Sequence, residues 1–184
     1  RFLIVGENGI GKSTLLKLLV KRLTPTGGYI NWSLKATIGY YAQELELLDN
    51  NKTVFQNVDQ FDYLPQEIRA YLSNFLFSET DCNKLVKVLS PGEKARLSLC
   101  KLILSRTNVI ILDEPTNHFD PETQEIIGNN FKDFKGTLIV VSHNPKFVQQ
   151  LGITRMLDLS DGKVREYSED LLKYYYYLNT EFNQ

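Results

Sequence analysis

The chain has 184 residues, of which 42% are hydrophobic, 23% charged and 11% aromatic, enough apolar matter for one ordinary globular core. Lys+Arg number 21 against Asp+Glu 22, for a net charge of -1, so the basic imbalance of a domain that wraps nucleic acid unaided is missing, and so are acidic-tail and polybasic membrane patterns. Cys82 and Cys100 stand without a CxxC or histidine partner, which argues against a disulfide framework or a zinc site and fits a reducing cytoplasm.

The longest apolar runs, such as Val109–Leu112 and Leu138–Val141, fall far short of the roughly 20 residues that cross a bilayer. No signal or transit peptide is visible. The first residue is Arg1 rather than Met, and the text enters a strand at once, so the start reads as a cut through a longer chain with its first strands missing.

Phe2–Val5 is an all-apolar run closed by Gly6, the pattern of a strand buried on both faces. A helix is expected from about Lys12 to Arg22, with Leu16, Leu19, Val20 and Leu23 at helical spacing, and Pro25-Thr26-Gly27-Gly28 stops it. Tyr29–Asn31 and Thr37–Tyr41 read as short strands. From Thr53 to about Ser105 the text turns helical and more polar, with Pro65 opening one segment and Ser90-Pro91-Gly92-Glu93 another. Val109–Leu112, Pro121–Phe131, Gly136–Val141, Pro145–Leu151 and Ile153–Leu159 then alternate strand and helix, which implies a parallel sheet. The fold class is α/β, with residues 1–47 and 106–184 as the core and 48–105 as an inserted helical subdomain. The tyrosines 174–177 close an amphipathic helix whose aromatics are suited to packing on the sheet or a neighbouring domain more than to stacking on bases.

Gly6-Glu7-Asn8-Gly9-Ile10-Gly11-Lys12-Ser13 matches G-x-x-x-x-G-K-[ST] without a mismatch, between a buried strand and a helix. Glycines let the backbone close on anionic oxygens, so that the N–H groups of residues such as Asn8, Gly9 and Gly11 and the following helix N-terminus point at phosphates. Lys12 supplies a charge to the β- and γ-phosphates, Ser13 a hydroxyl to Mg²⁺, and Thr14 a contact to the α-phosphate. The second strand, Val109–Leu112, ends in Asp113-Glu114. Side chains alternate along an extended segment, so Asp113 is expected to hold the metal through water and Glu114 to face the γ-phosphate and polarise an attacking water, worth 10²–10⁴ in rate.

These motifs, with Gln43, Leu89-Ser90-Pro91-Gly92-Glu93, Leu112-Asp113-Glu114-Pro115-Thr116-Asn117-His118-Phe119-Asp120 and Ser142-His143, occur in an order that resembles an ABC-type ATPase domain. The run Glu-Pro-Thr-Asn-His-x-Asp further resembles the ABC-F subfamily, soluble tandem ATPases of which many act on the ribosome. Phe119 stands where that subfamily usually has Leu, Pro91 where many relatives have a second Gly, and Asn144-Pro145 where Asp-Arg often follows the histidine. The resemblance implies a P-loop core with a mainly parallel sheet, ATP and Mg²⁺ as ligands, and ATP hydrolysis.

It further implies that Gln43 touches Mg²⁺ and the attacking water, that His143 contacts the γ-phosphate as a switch, and that Asp120 lies at the contact between two ATPase domains. Ser90-x-x-Glu93 reads independently as a capping box with Pro91 at the first helical position. Through the resemblance, Ser90, Gly92 and Glu93 also form the signature that grips the γ-phosphate of a nucleotide bound to another domain. Both can hold at once.

In the first domain of ABC-F proteins an arm that contacts the ribosome is commonly inserted between the positions of Gln43 and Ser90. Here that stretch is short, which favours the second, C-terminal domain. The expected activity is closure of two such domains, in one chain or between copies, on Mg-ATP. That closure would drive a switch on the ribosome, in translation control or in protection from ribosome-targeting antibiotics, with the ribosome met through other parts of the protein and with neither membrane insertion nor DNA as partner. The alternatives are the motor subunit of a membrane ABC transporter and a nucleotide-binding module without catalysis.

Overall fold

The computed structural model describes residues 1–42, 48–59, 61–117 and 119–181. Among these residues six strands form one sheet in the order β2-β3-β4-β1-β5-β6: β1 (Phe2–Val5), β2 (Ile38–Tyr41), β3 (Val109–Asp113), β4 (Thr137–Val141), β5 (Arg155–Asp158) and β6 (Lys163–Glu166). Every pairing is parallel except β5 with β6. The helices are α1 (Lys12–Leu19), α2 (Val54–Val58), α3 (Pro65–Asn74), α4 (Pro91–Leu104), α5 (Pro121–Lys132), α6 (Pro145–Gln150) and α7 (Glu169–Glu181).

Strand alternation sorts the core into two layers. Leu3, Val5, Ile110, Leu112, Leu138 and Val140 face one way, into the larger core shared with α2 to α7, whereas Ile4, Val109, Ile111 and Val141 face the other, under Leu16 of α1. The central strand β3 is buried along its whole length, as an apolar run covered by helices on both faces must be. The α/β class with a mostly parallel sheet and flanking helices is the observed architecture, and β1, β3 and β4 bring their C-terminal ends to the edge of the sheet where such folds bind ligands.

The part of the stretch between β2 and β3 that runs on from Thr53 carries α2, α3 and α4, as the helical text there predicts. It begins with a capping box in which the Thr53 hydroxyl accepts from Gln56 N at 3.1 Å and Gln56 Oε1 accepts from Thr53 N at 3.0 Å. The helix α4 packs on α2 and α3 and also on β2, where the absence of a side chain at Gly39 admits Leu102. A Cβ there would lie 2.3 Å from Leu102 Cδ1.

Three local expectations are corrected. First, α1 stops at Leu19 rather than Arg22, because Lys21 turns left-handed at φ 60 and the chain closes with Lys21 N on Leu18 O at 3.0 Å and Arg22 N on Lys17 O at 2.9 Å. That is the pattern of a Schellman cap with lysine in the position glycine usually takes. Second, Tyr29–Asn31 is not a strand. No described strand lies beside it to satisfy its backbone groups, and the segment is anchored by the Trp32 indole N–H donating to Leu19 O at 2.9 Å. Third, the antiparallel strand β6 was not foreseen, since Lys-Val-Arg-Glu carries neither an apolar run nor a clear alternation.

The tyrosine cluster divides. On α7, Leu172 is fully buried and Tyr174 and Tyr177 are exposed, while the Tyr175 hydroxyl donates to the Asp158 carboxylate and the Tyr176 hydroxyl to Ser142 O. Packing on the core therefore accounts for the inner pair.

Candidate nucleotide-phosphate site

Between β1 and α1 the backbone takes positive φ at Gly6 (143), Gly9 (82) and Gly11 (109), conformations that any side chain would strain. Gly11 is the N-cap of α1. It offers no side-chain hydrogen bond, and the first turn of the helix contains no acidic residue. The first N–H groups of a helix have no partner within it, so this end presents unspent donors and the positive pole of the helix to whatever lies before it.

Lys12 reaches back over the loop. Its Nζ donates to Gly6 O at 2.8 Å and Glu7 O at 3.0 Å, which leaves the third ammonium donor for an anion. The side chain is nearly buried, and this desolvation lowers its pKa below the ordinary lysine value while Glu114 and Asp113 oppose the shift. A phosphate would supply the missing negative charge.

Asp113 ends β3 and is buried. Its Oδ1 accepts from the Ser13 hydroxyl at 3.1 Å, and the Tyr40 hydroxyl lies 3.5 Å from its Oδ2. Desolvation raises its pKa against these bonds and the nearby lysines. Glu114 departs from the extended geometry expected of it: its φ is 49, a left-handed conformation that costs a non-glycine residue about 1–2 kcal/mol. Two bonds from β4 and its end hold it there. Glu114 N donates to Val141 O at 2.9 Å, and Glu114 Oε2 accepts from His143 N at 3.1 Å. The two acids still diverge, Asp113 toward Ser13 and Glu114 toward His143, but a backbone turn does the separating rather than strand alternation.

His143 Nε2 lies 3.2 Å from Glu114 Oε1, a close approach without hydrogen-bond alignment, since that buried oxygen has no hydrogen-bond partner. Burial raises the Glu114 carboxyl, with His143 pulling the other way. After the histidine, Asn144 caps α6 by accepting from Phe147 N at 3.1 Å, so this residue has a structural use here.

Asn8, Gly9, Gly11, Lys12, Ser13, Thr14, Glu114, Val141 and His143 line one cleft of about 270 Å³. Residues from the loop after β1, from α1 and from the ends of β3 and β4 are thus collected at one sheet edge, with Asp113 tied in through Ser13. Ser90, Gly92, Glu93 and Asp120 do not line it. Ser90 and Glu93 close a reciprocal box at the start of α4, with Glu93 N donating to Ser90 Oγ at 3.3 Å and Ser90 N to Glu93 Oε2 at 2.7 Å. Asp120 caps α5 by accepting from Thr123 N at 3.0 Å and the Thr123 hydroxyl at 2.7 Å. Gln43 and His118 lie outside the described residues. Sequence reasoning missed Tyr40 and Val141. Tyr40 sits on the predicted strand 37–41, one strand over from Asp113, and register alone could have found it.

A metal suits these residues in one form. No group of three or more His, Cys, Asp or Glu among the described residues is placed to hold an ion, but the Ser13 hydroxyl and Asp113 carboxylate are adjacent hard oxygens. That is the donor set for Mg²⁺, which takes one or two protein oxygens and completes its shell with phosphate and water.

The ABC transporter family profile matches residues 1–117. The chain is 46% identical over 183 residues to the putative ATP-binding protein YdiF of Bacillus subtilis, covering 98% of this chain and 28% of that protein. It is 35% identical over 179 residues to ABC transporter F family member 5 of Arabidopsis thaliana, covering 95% of this chain and 25% of that one. Among solved structures, an archaeal ribosome recycling factor, aABCE1, in complex with a ribosomal stalk protein, superposes with a TM-score of 0.71 at 26% identity, over 85% of this chain and 31% of that one. The chain therefore spans about a quarter to a third of the length of these relatives.

Proposed function

This chain belongs to the ABC family of ATP-binding domains, in its ABC-F branch, and from that membership we propose that it binds Mg-ATP in the described cleft and hydrolyses it when paired with a second such domain. The observation that carries the reading is the union, around one cleft, of an uncapped helix N-terminus with Lys12 and of Glu114 with His143. The first pair suits the anionic tail of a nucleotide, and the second stands where that tail would end.

In this reading the loop N–H groups and Lys12 bind the β- and γ-phosphates, and Thr14 meets the α-phosphate. Ser13 and Asp113, with Gln43, hold Mg²⁺, which supplies charge neutralisation on the phosphate oxygens. Glu114 orients the attacking water and takes its proton, and His143 donates to the γ-phosphate. Phosphoryl transfer asks mainly for such positioning and charge stabilisation. Ser90 and Gly92 complete the site of the partner domain: the Ser90 hydroxyl accepts from Glu93 N and keeps its own proton to donate. Asp120, exposed at the start of α5, belongs to the same contact.

We further propose that pairing drives a switch on the ribosome, in the cytoplasm, with this chain as the second ATPase domain of its protein. The structural likeness to a ribosome recycling factor supports this. No helix among the described residues is long and apolar enough to cross a membrane. Cosedimentation of the full-length protein with ribosomes tests the proposal. Retention with Mg-ATP in a Glu114→Gln form and release with Mg-ADP are expected, and equal recovery with either nucleotide would remove the ribosomal switch.

A further inference from the structure

The Tyr176 hydroxyl, on the second turn of α7, donates to the backbone carbonyl of Ser142 at 2.7 Å, across 34 residues of sequence. The N–H of that same peptide unit, belonging to His143, donates to Glu114 Oε2 at 3.1 Å. One amide is therefore gripped at both ends, by a tyrosine on its oxygen and by the carboxylate on its nitrogen. Donation to the carbonyl polarises the amide and strengthens its N–H as a donor, since hydrogen bonds in series reinforce one another.

We propose that Tyr176 is a positioning residue for Glu114, acting through the Ser142–His143 peptide to hold one carboxylate oxygen in place and leave the other turned to the cleft. The proposal rests on the reading of Glu114 as the group that activates water. The other oxygen, Oε1, is buried, lies 3.2 Å from His143 Nε2 and accepts no hydrogen bond among the described residues, which leaves its acceptor capacity for a water proton. The left-handed backbone at Glu114 is held from outside its own segment by Val141 O and His143 N, beside a long turn bond of 3.5 Å from Asn117 N to Glu114 O.

The rest of α7 brings Tyr176 to this place. Leu172 is buried in the main core, the neighbouring Tyr175 hydroxyl is fastened to Asp158, and the two rings line a small niche with Gly6, Lys12, Ser142 and His143. Burial pushes the Tyr176 hydroxyl well above the ordinary tyrosine value, so it remains a proton donor at neutral pH. A phenylalanine would fill the same space without the bond to Ser142 O.

The test uses Tyr176→Phe, with Tyr175→Phe as the control on the same helix. In ¹⁵N spectra the His143 amide proton should move upfield and exchange faster in Tyr176→Phe and stay in place in Tyr175→Phe. At saturating Mg-ATP, Glu114-dependent turnover should fall about 3- to 10-fold, the loss expected of one neutral hydrogen bond acting on the barrier, with KM for ATP unchanged. A folded Tyr176→Phe whose His143 amide is unmoved overturns the proposal, as does a fall in turnover matched by a rise in KM. If the variant fails to fold, 3-fluorotyrosine at position 176 keeps the shape and donates more strongly. The His143 amide should then move downfield, and no movement overturns the proposal. A wild type without Glu114-dependent hydrolysis would sink the functional reading instead, while the amide signal, which needs no nucleotide, still decides whether Tyr176 holds the peptide.

Discussion

Two helix beginnings in this chain look alike on paper and differ in kind. Both α1 and α4 start after a loop with glycine near the cap and are candidates for gripping phosphate. At α4 the Ser90 hydroxyl and the Glu93 carboxylate satisfy the first backbone donors reciprocally, and Pro91 removes another. At α1 the cap is a left-handed glycine with no side-chain bond and no acid in the first turn. A helix that meets its own N-terminal donors gains the stabilisation of its cap. One that does not gives up capping free energy of about 1 kcal/mol and keeps its field for an anion. The lesson is that α1 is arranged to bind within its own chain, whereas α4 has only the Ser90 proton and the Gly92 N–H to offer, suited to a second, weaker grip.

The largest expected effect breaks the α1 side at its catalytic end. Glu114→Gln should keep nucleotide affinity while slowing hydrolysis about 10²- to 10⁴-fold, read in single turnovers; unchanged turnover would remove Glu114 from the chemistry. Lys12→Ala removes a charged donor from the same helix end and should weaken ATP binding roughly 10- to 100-fold by calorimetry, from a charged hydrogen bond of about 1.5–3 kcal/mol. Unaltered affinity would show that the loop does not meet the phosphates.

Ser90→Ala sharpens the contrast from the other side. It should cost about 0.5–2 kcal/mol of stability in denaturant unfolding, the usual worth of an N-cap, and leave the affinity of the chain's own cleft for ADP where it was. Loss of ADP affinity would mean that the two helix ends are not independent. The smallest effect concerns α5, capped by an ionised side chain. Bonds from the Thr123 N–H and hydroxyl hold the Asp120 carboxyl below the usual range. A folded-state value below the unfolded one means that the contribution is present above the ordinary value of about 3.8 and is lost as pH falls through the lowered one. Asp120→Asn should therefore flatten the acid limb of the stability curve there, and an unchanged limb would show that the cap does not titrate.

What the sequence made legible follows from distance along the chain. The phosphate loop is contiguous, and its flanking strand and helix are decided by apolar spacing, so Gly6 through Thr14 fall together in the sequence itself. Ser90-x-x-Glu93 and Asp120 were readable as caps for the same reason. Asp113 and Glu114 are legible, but the turn at Glu114 is not, because its left-handed backbone depends on Val141 O at the end of β4 and on His143 N just beyond it. Tyr176 matches no motif, and its meaning arises only when α7 folds back against the end of β4. Tyr29–Asn31 shows the converse error: strand-like composition does not make a strand where no neighbour completes the ladder.

The central claim is that the open end of α1 and the Glu114–His143 edge form one phosphate site, and ¹⁵N-resolved titration of the chain with Mg-ADP and then Mg-ATP tests it most directly. Mg-ADP should move the amides of Gly9 to Thr14, and Mg-ATP should add His143 to that set. Titrations in which those loop amides stay still, or in which the extra phosphate leaves His143 unaffected, would contradict the account.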